Sequence, residues 1–69
     1  MNYTVEYEQE EDGRWLAEVL ELPGVLAYGQ SIDEAVSRAQ ALALRVLADR
    51  IEHGEAASGT ISISFAAAA

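Results

Sequence analysis

The chemically most versatile side chains in this sequence are three consecutive acids, Glu10, Glu11 and Asp12. Carboxylate oxygens are the ligands that Ca²⁺ and Mg²⁺ prefer, but three adjacent acids lack the ligand spacing of a calcium-binding loop. The run continues into Asp12-Gly13, a dipeptide that favours a tight hairpin turn. We therefore predict a solvated turn at this position, with no metal site and no cofactor.

Two other residues have side chains that are used in catalysis, but the local sequence favours structural roles for both. Ser31 has no candidate base near it in the sequence, whereas the pattern Ser31-x-x-Glu34 is typical of a capping box, with the Glu34 carboxylate reaching back to the Ser31 N–H. The single histidine, His53, precedes Gly54 and is expected to cap the carbonyl end of the same helix. No glycine-rich phosphate loop or zinc motif occurs in the sequence. We therefore predict that the chain is not an enzyme.

The composition restricts the partners that this chain can bind. Its 69 residues include twelve acids and four basic residues, for a formal charge of −8 at pH 7. This charge repels phosphate backbones and attracts basic proteins, so we expect no direct nucleic-acid partner. The chain has no cysteine and hence no disulfide, and a domain of this size buries only about 60% of the surface that its unfolded chain exposes. We therefore expect a homo-oligomer, a dimer or tetramer.

The start of the chain shows no targeting signal. The segment from Met1 to Glu6 contains no basic region and no continuous apolar run. No segment approaches the roughly 20 apolar residues that span a membrane. We therefore expect a cytoplasmic protein that does not contact a membrane.

The elements that position these side chains are predicted from hydrophobic periodicity. Alternating residues predict strands at 3–8, 14–20 and 60–65, and the turn residues Pro23-Gly24 and Gly29 delimit a short strand at 25–28. An apolar stripe predicts a helix that begins at Ser31 and ends at His53-Gly54. The stripe comprises Ala35, Val36, Ala39, Leu42, Ala43, Val46, Leu47 and either Arg50 or Ile51.

The order β-β-β-α-β predicts the α+β class, with one long helix packed on one face of a small mixed sheet. The last strand returns after a helical crossover, so we expect it to pair parallel with the first strand. Residues 1–65 are expected to form this single domain, and residues 66–69, all alanine, a tail that frays. One sheet face and the sheet edges are left open, which again favours oligomerisation or a partner.

A longer pattern joins these elements and runs over about residues 3 to 54. Its parts are Tyr3-Thr4-Val5-Glu6, then Glu11-Asp12-Gly13-Arg14-Trp15-Leu16-Ala17-Glu18-Val19, then Leu22-Pro23-Gly24, and finally Tyr28-Gly29-Gln30-Ser31-Ile32-Asp33-Glu34-Ala35. Each part alone is a turn, a strand or a cap. Their joint order and spacing resemble the HicB-like antitoxin family.

This resemblance implies a partial ribonuclease H-like fold and a function in a type II toxin–antitoxin module. HicB-like proteins bind HicA, a small basic toxin that cleaves mRNA, and block its RNA-binding surface. An acidic domain that faces a basic toxin gains charge complementarity, which speeds encounter and sets orientation. From charge alone, we predict that the partner-binding residues are Glu10, Glu11 and Asp12, with Glu18 and Glu21 as secondary candidates.

The sequence also departs from the family pattern. Many HicB-like proteins carry a C-terminal domain that binds the operator, whereas this sequence ends with the fourth strand and four alanines. We therefore expect no C-terminal DNA-binding domain, and the resemblance does not extend to autorepression. This departure favours an alternative function, a stand-alone homo-oligomeric binding module of the same fold with a lost or unknown partner. A metal-dependent nuclease is a remote alternative, because the acidic metal-binding set of the ribonuclease H-like fold has no counterpart in this sequence.

Overall fold

Four strands and one helix make up the part of the chain that this computed structural model describes, residues 1–55 and 59–68. The elements are β1 (Asn2–Gln9), β2 (Trp15–Val19), β3 (Leu26–Gly29), α1 (Ile32–Glu52) and β4 (Ser64–Ala68). They form one sheet in the order β3-β2-β1-β4, which is antiparallel except for the parallel pair of β1 and β4. The predicted α+β class, the β-β-β-α-β order and the parallel return of the last strand are confirmed.

The hydrophobic core lies between one face of this sheet and α1. Its buried side chains are Val5, Ala17, Val19, Leu22, Val25, Ala35, Ala39, Ala43 and Leu47. The helix contributes alanines at every fourth position, and their small side chains let its backbone come close to the sheet. The approach is closest at Gly29, where a Cβ atom would stand 2.5 Å from the backbone nitrogen of Ala35. Glycine is therefore required at this position by the packing of α1 on β3.

Both ends of α1 are capped by the residues that the sequence predicts. The Ser31 hydroxyl accepts a hydrogen bond from the Glu34 N–H at 3.1 Å, and the Nδ1 atom of His53 lies 2.8 Å from the Asp49 carbonyl oxygen. Gly54 follows with a φ of +72°, the left-handed conformation of a helix C-terminus. The prediction of a capping box is wrong in one detail. The Glu34 carboxylate accepts the N–H of Gln30, at 2.9 Å, and not that of Ser31.

The last strand lies later in the chain than predicted. β4 begins at Ser64 and continues through Ala68, so the prediction of an alanine tail is wrong for residues 66–68. Each alanine faces a residue of β1, with Ala66 opposite Thr4 and Ala68 opposite Glu6. Strand formation here depends on backbone pairing with β1, which overrides the low strand propensity of alanine. Residue 69, the last of the predicted tail, and residues 56–58, which follow the predicted helix, lie outside the described residues.

The helix stripe predicted to be buried also needs one correction. Val36, Leu42 and Val46 pack against the core as expected, but Ile51 remains 42% exposed. Ile51 lies in the last turn of α1, which extends beyond the core that the sheet supplies. Among the described residues, no helix has the combination of length and apolar character needed to cross a membrane.

Candidate protein-binding face

The face of the sheet that points away from α1 is not covered by any described element. Side chains alternate between the two faces of a strand, so the neighbours of the buried Val5 and Ala17 point outward. We call this surface the open face. Its side chains include Thr4, Glu6 and Glu8 from β1, Leu16 and Glu18 from β2, Leu26 and Tyr28 from β3, and Ala66 and Ala68 from β4.

Two acids lie directly opposite each other at the centre of the open face. The register of the β1–β2 hairpin pairs Glu6 with Glu18. Opposed residues on one face of an antiparallel pair have Cβ atoms about 5 Å apart, and like charges at this distance destabilise the pair. Within the described residues, no cation forms an ion pair with either carboxylate. The pair therefore presents uncompensated negative charge to solvent.

Apolar side chains flank this pair. Leu26 lies opposite Glu18 on β3 and is 40% exposed, and Tyr28, which pairs with the half-buried Leu16, is 38% exposed. A shallow depression of about 250 Å³ opens between the strands. Its lining residues are Glu6, Tyr7, Glu8, Leu16 and Glu18. The open face thus places exposed acids beside exposed apolar side chains, and its charge is complementary to that of a basic partner.

One acid of the β1–β2 turn, Asp12, is hydrogen-bonded within the turn itself. Asp12 accepts hydrogen bonds from the Arg14 backbone N–H at 3.0 Å and from the Arg14 side-chain Nε at 2.7 Å. These two bonds hold the pKa of the Asp12 carboxyl below its ordinary value. The Arg14 guanidinium also lies over the Tyr28 ring, with Cζ 4.4 Å from the ring centroid. Asp12 therefore organises the turn and positions Arg14 against the open face.

The Glu21 carboxylate is also hydrogen-bonded within the fold. Its Oε1 atom accepts the backbone N–H of Thr4 at 2.8 Å, which links the β2–β3 connection to β1. This hydrogen bond holds the pKa of the Glu21 carboxyl below its ordinary value. One of its carboxylate oxygens is thus already satisfied.

The five acids predicted to bind a partner are therefore not gathered at one place. Glu10 and Glu11 lie in the hairpin turn, where the Glu10 carbonyl accepts the Gly13 N–H at 3.0 Å. Of the five acids, Glu18 is the one that lies within a strand of the sheet, on the side of the open face. Sequence reasoning missed Glu6 and Glu8 as site residues. Their alternation with Val5 and Tyr7 was the available signal, because it places them on the same side of the sheet as Glu18 once the hairpin register is known.

The described residues hold no group of three or more His, Cys, Asp or Glu side chains arranged to bind a metal ion. Comparison of the chain with protein families, with curated proteins and with solved structures finds no match.

Proposed function

We propose that this chain is a HicB-like antitoxin-type protein that neutralises a basic HicA-type, mRNA-cleaving toxin by binding it through the open face. The observation that carries the proposal is the opposed pair of Glu6 and Glu18, surrounded by exposed apolar side chains. A basic side chain from a partner would convert this repulsive pair into a favourable ion pair. Burial of Leu26 and Tyr28 against the same partner would supply apolar contact area.

Inhibition would follow from competition for one basic surface. A toxin that binds RNA presents Lys and Arg side chains to phosphates, and the carboxylates of the open face would engage the same cations. The formal charge of −8 would accelerate this encounter and keep the chain itself away from RNA. An mRNA-cleaving toxin acts where mRNA is translated, so the proposal also implies a cytoplasmic location.

The proposal is tested by co-expression with a HicA-type toxin encoded in an adjacent reading frame. The test variant is Glu6→Gln/Glu18→Gln, and the control is Glu52→Gln/Glu55→Gln, which removes the same charge outside the open face. We expect the wild type and the control to bind the toxin and restore growth, and the test variant to bind at least tenfold more weakly. Equal affinity of the two variants, or failure of the wild type to bind, would overturn the proposal.

A further inference from the structure

A second apolar stripe runs along the side of α1 that faces solvent. It consists of Ala41, Leu44, Ala48 and Ile51, all of them exposed, with Leu44 at 47% and Ile51 at 42%. These residues are separate from the alanines of α1 that pack on the sheet. We call this surface the outer stripe. It lies on the opposite side of the domain from the open face.

The spacing of the outer stripe is that of a helix-pairing seam. Successive members are three, four and three residues apart, the a and d positions of two heptads. This spacing lets the stripe pack against another helix, because removing water from an exposed line of aliphatic side chains lowers the free energy. The outer stripe therefore fits a helix as its partner.

The charge distribution favours a second copy of this chain as the source of that helix. The charged residues of α1 are Asp33, Glu34, Arg38, Arg45, Asp49, Arg50 and Glu52, three cations against four acids. The helix thus contributes a net charge of −1 to the −8 of the whole chain. Two copies repel each other least when they meet through α1, because most of the negative charge then lies far from the contact.

We infer that the outer stripe is a self-association surface, at which the α1 helices of two copies pack antiparallel around a twofold axis. In this arrangement Leu44 of one copy faces Ala48 of the other, and Ile51 faces Ala41. Each layer of the contact then contains one large and one small side chain. A parallel pair would instead oppose Ala48 to Ala48, which leaves a gap, and Leu44 to Leu44, which crowds the adjacent layer.

This inference does not depend on the proposed function, because the open face stays free in such a dimer. The first test measures the molar mass of the full chain by light scattering and sedimentation equilibrium over a range of concentrations. We expect the wild type to have twice the 7.4 kDa of one chain. Leu44→Glu should halve the observed mass with an unchanged circular dichroism spectrum, because Leu44 contributes little to the core of a single chain.

The matched control is Leu26→Glu, a similarly exposed leucine on the open face, which should leave the dimer intact. A monomeric wild type at high micromolar concentration would overturn the inference. So would a dimer that Leu26→Glu dissociates and Leu44→Glu does not, because that result would assign self-association to the open face.

The second test determines the direction of the helices by cross-linking. The chain has no cysteine, so every disulfide that forms joins two engineered cysteines. We expect an oxidised mixture of Ala41→Cys and Ile51→Cys chains to form the mixed disulfide. In an antiparallel pair, two Ala41→Cys positions are about 15 Å apart along the axis and do not cross-link. Disulfides within each variant alone, with none between the variants, would indicate parallel helices and overturn the proposed arrangement.

Discussion

Glu6 and Glu18 face each other across the β1–β2 hairpin with no cation of the described chain between them. A fold that keeps two like charges at this position gives up part of its stability. Under the proposed function, the same two carboxylates bind basic side chains of the partner. The relationship therefore predicts opposite effects of mutation on folding and on partner recognition.

Neutralising one member of this pair is expected to stabilise the isolated protein. Glu18→Gln should raise the free energy of unfolding by about 0.5 kcal/mol, because it removes the repulsion and keeps the size of the side chain. Urea denaturation at low salt measures the effect, which should shrink at high salt as the charges are screened. Glu52→Gln, on the helix, is the control. A less stable Glu18→Gln protein would contradict the prediction.

Enlarging Gly29 is expected to destabilise the fold through a steric clash. Gly29→Ala should lower the free energy of unfolding by about 1–3 kcal/mol, because its Cβ would stand 2.5 Å from the Ala35 backbone nitrogen. The comparison is Gly13→Ala, where the cost is conformational, since Gly13 has a φ of +91° and open space around it. That cost is about 1 kcal/mol. Thermal unfolding of both variants tests whether Gly29→Ala is the more destabilising of the two. An unaffected Gly29→Ala protein would contradict the prediction and show that α1 can move away from β3.

Removing the helix cap is expected to cost about 1 kcal/mol of stability. Ser31→Ala leaves the Glu34 N–H without the acceptor that now lies 3.1 Å away. Ser37→Ala, a change of the same type at an exposed position inside α1, should be neutral or slightly stabilising because alanine has the higher helix propensity. Chemical denaturation of the two variants separates capping from propensity, and equal effects at both positions would contradict this role of Ser31.

The hydrogen bond from the Thr4 N–H to Glu21 is expected to make stability depend on pH in the acid range. The bond lowers the pKa of Glu21 in the folded state from its ordinary value of 4.5. Its contribution is therefore fully present above pH 4.5 and is lost as the pH falls through the lower, folded-state pKa. Glu21→Gln should make the decline of stability in acid shallower than in the wild type. Unfolding curves from pH 6 downward, with Glu52→Gln as control, test this; identical slopes for the two variants would refute it.

The local elements of this fold could be predicted because short-range chemistry determines them. Ser31 and Gly54 mark the helix ends through the hydrogen-bonding and conformational properties of those residues alone. The alternation of Val5 and Tyr7 with acids likewise identifies β1. Each of these signals lies within a few residues of the structure that it predicts.

Other features, which depend on which distant residues pair, could not be predicted from local signals. Ala66–Ala68 form a strand because β1 offers unpaired backbone groups, and nothing in an alanine run indicates this. The sequence predicts Glu21 as a secondary partner-binding acid, but its carboxylate accepts a backbone N–H from seventeen residues earlier in the chain. Glu6 of the candidate open face was missed for a similar reason, because its importance depends on the register that places it opposite Glu18.

The parallel pairing of β4 with β1 also affects how the protein is made. Ser64 bonds to Asn2 across 62 residues of chain, so β1 leaves the ribosome well before the strand that completes its pairing. At about 5–20 residues per second, the nascent chain spends seconds with one edge of β1 unpaired. Unpaired edges readily accept strands from other chains. Neighbouring nascent copies on one polysome are therefore most prone to misassociate during these seconds, before β4 emerges.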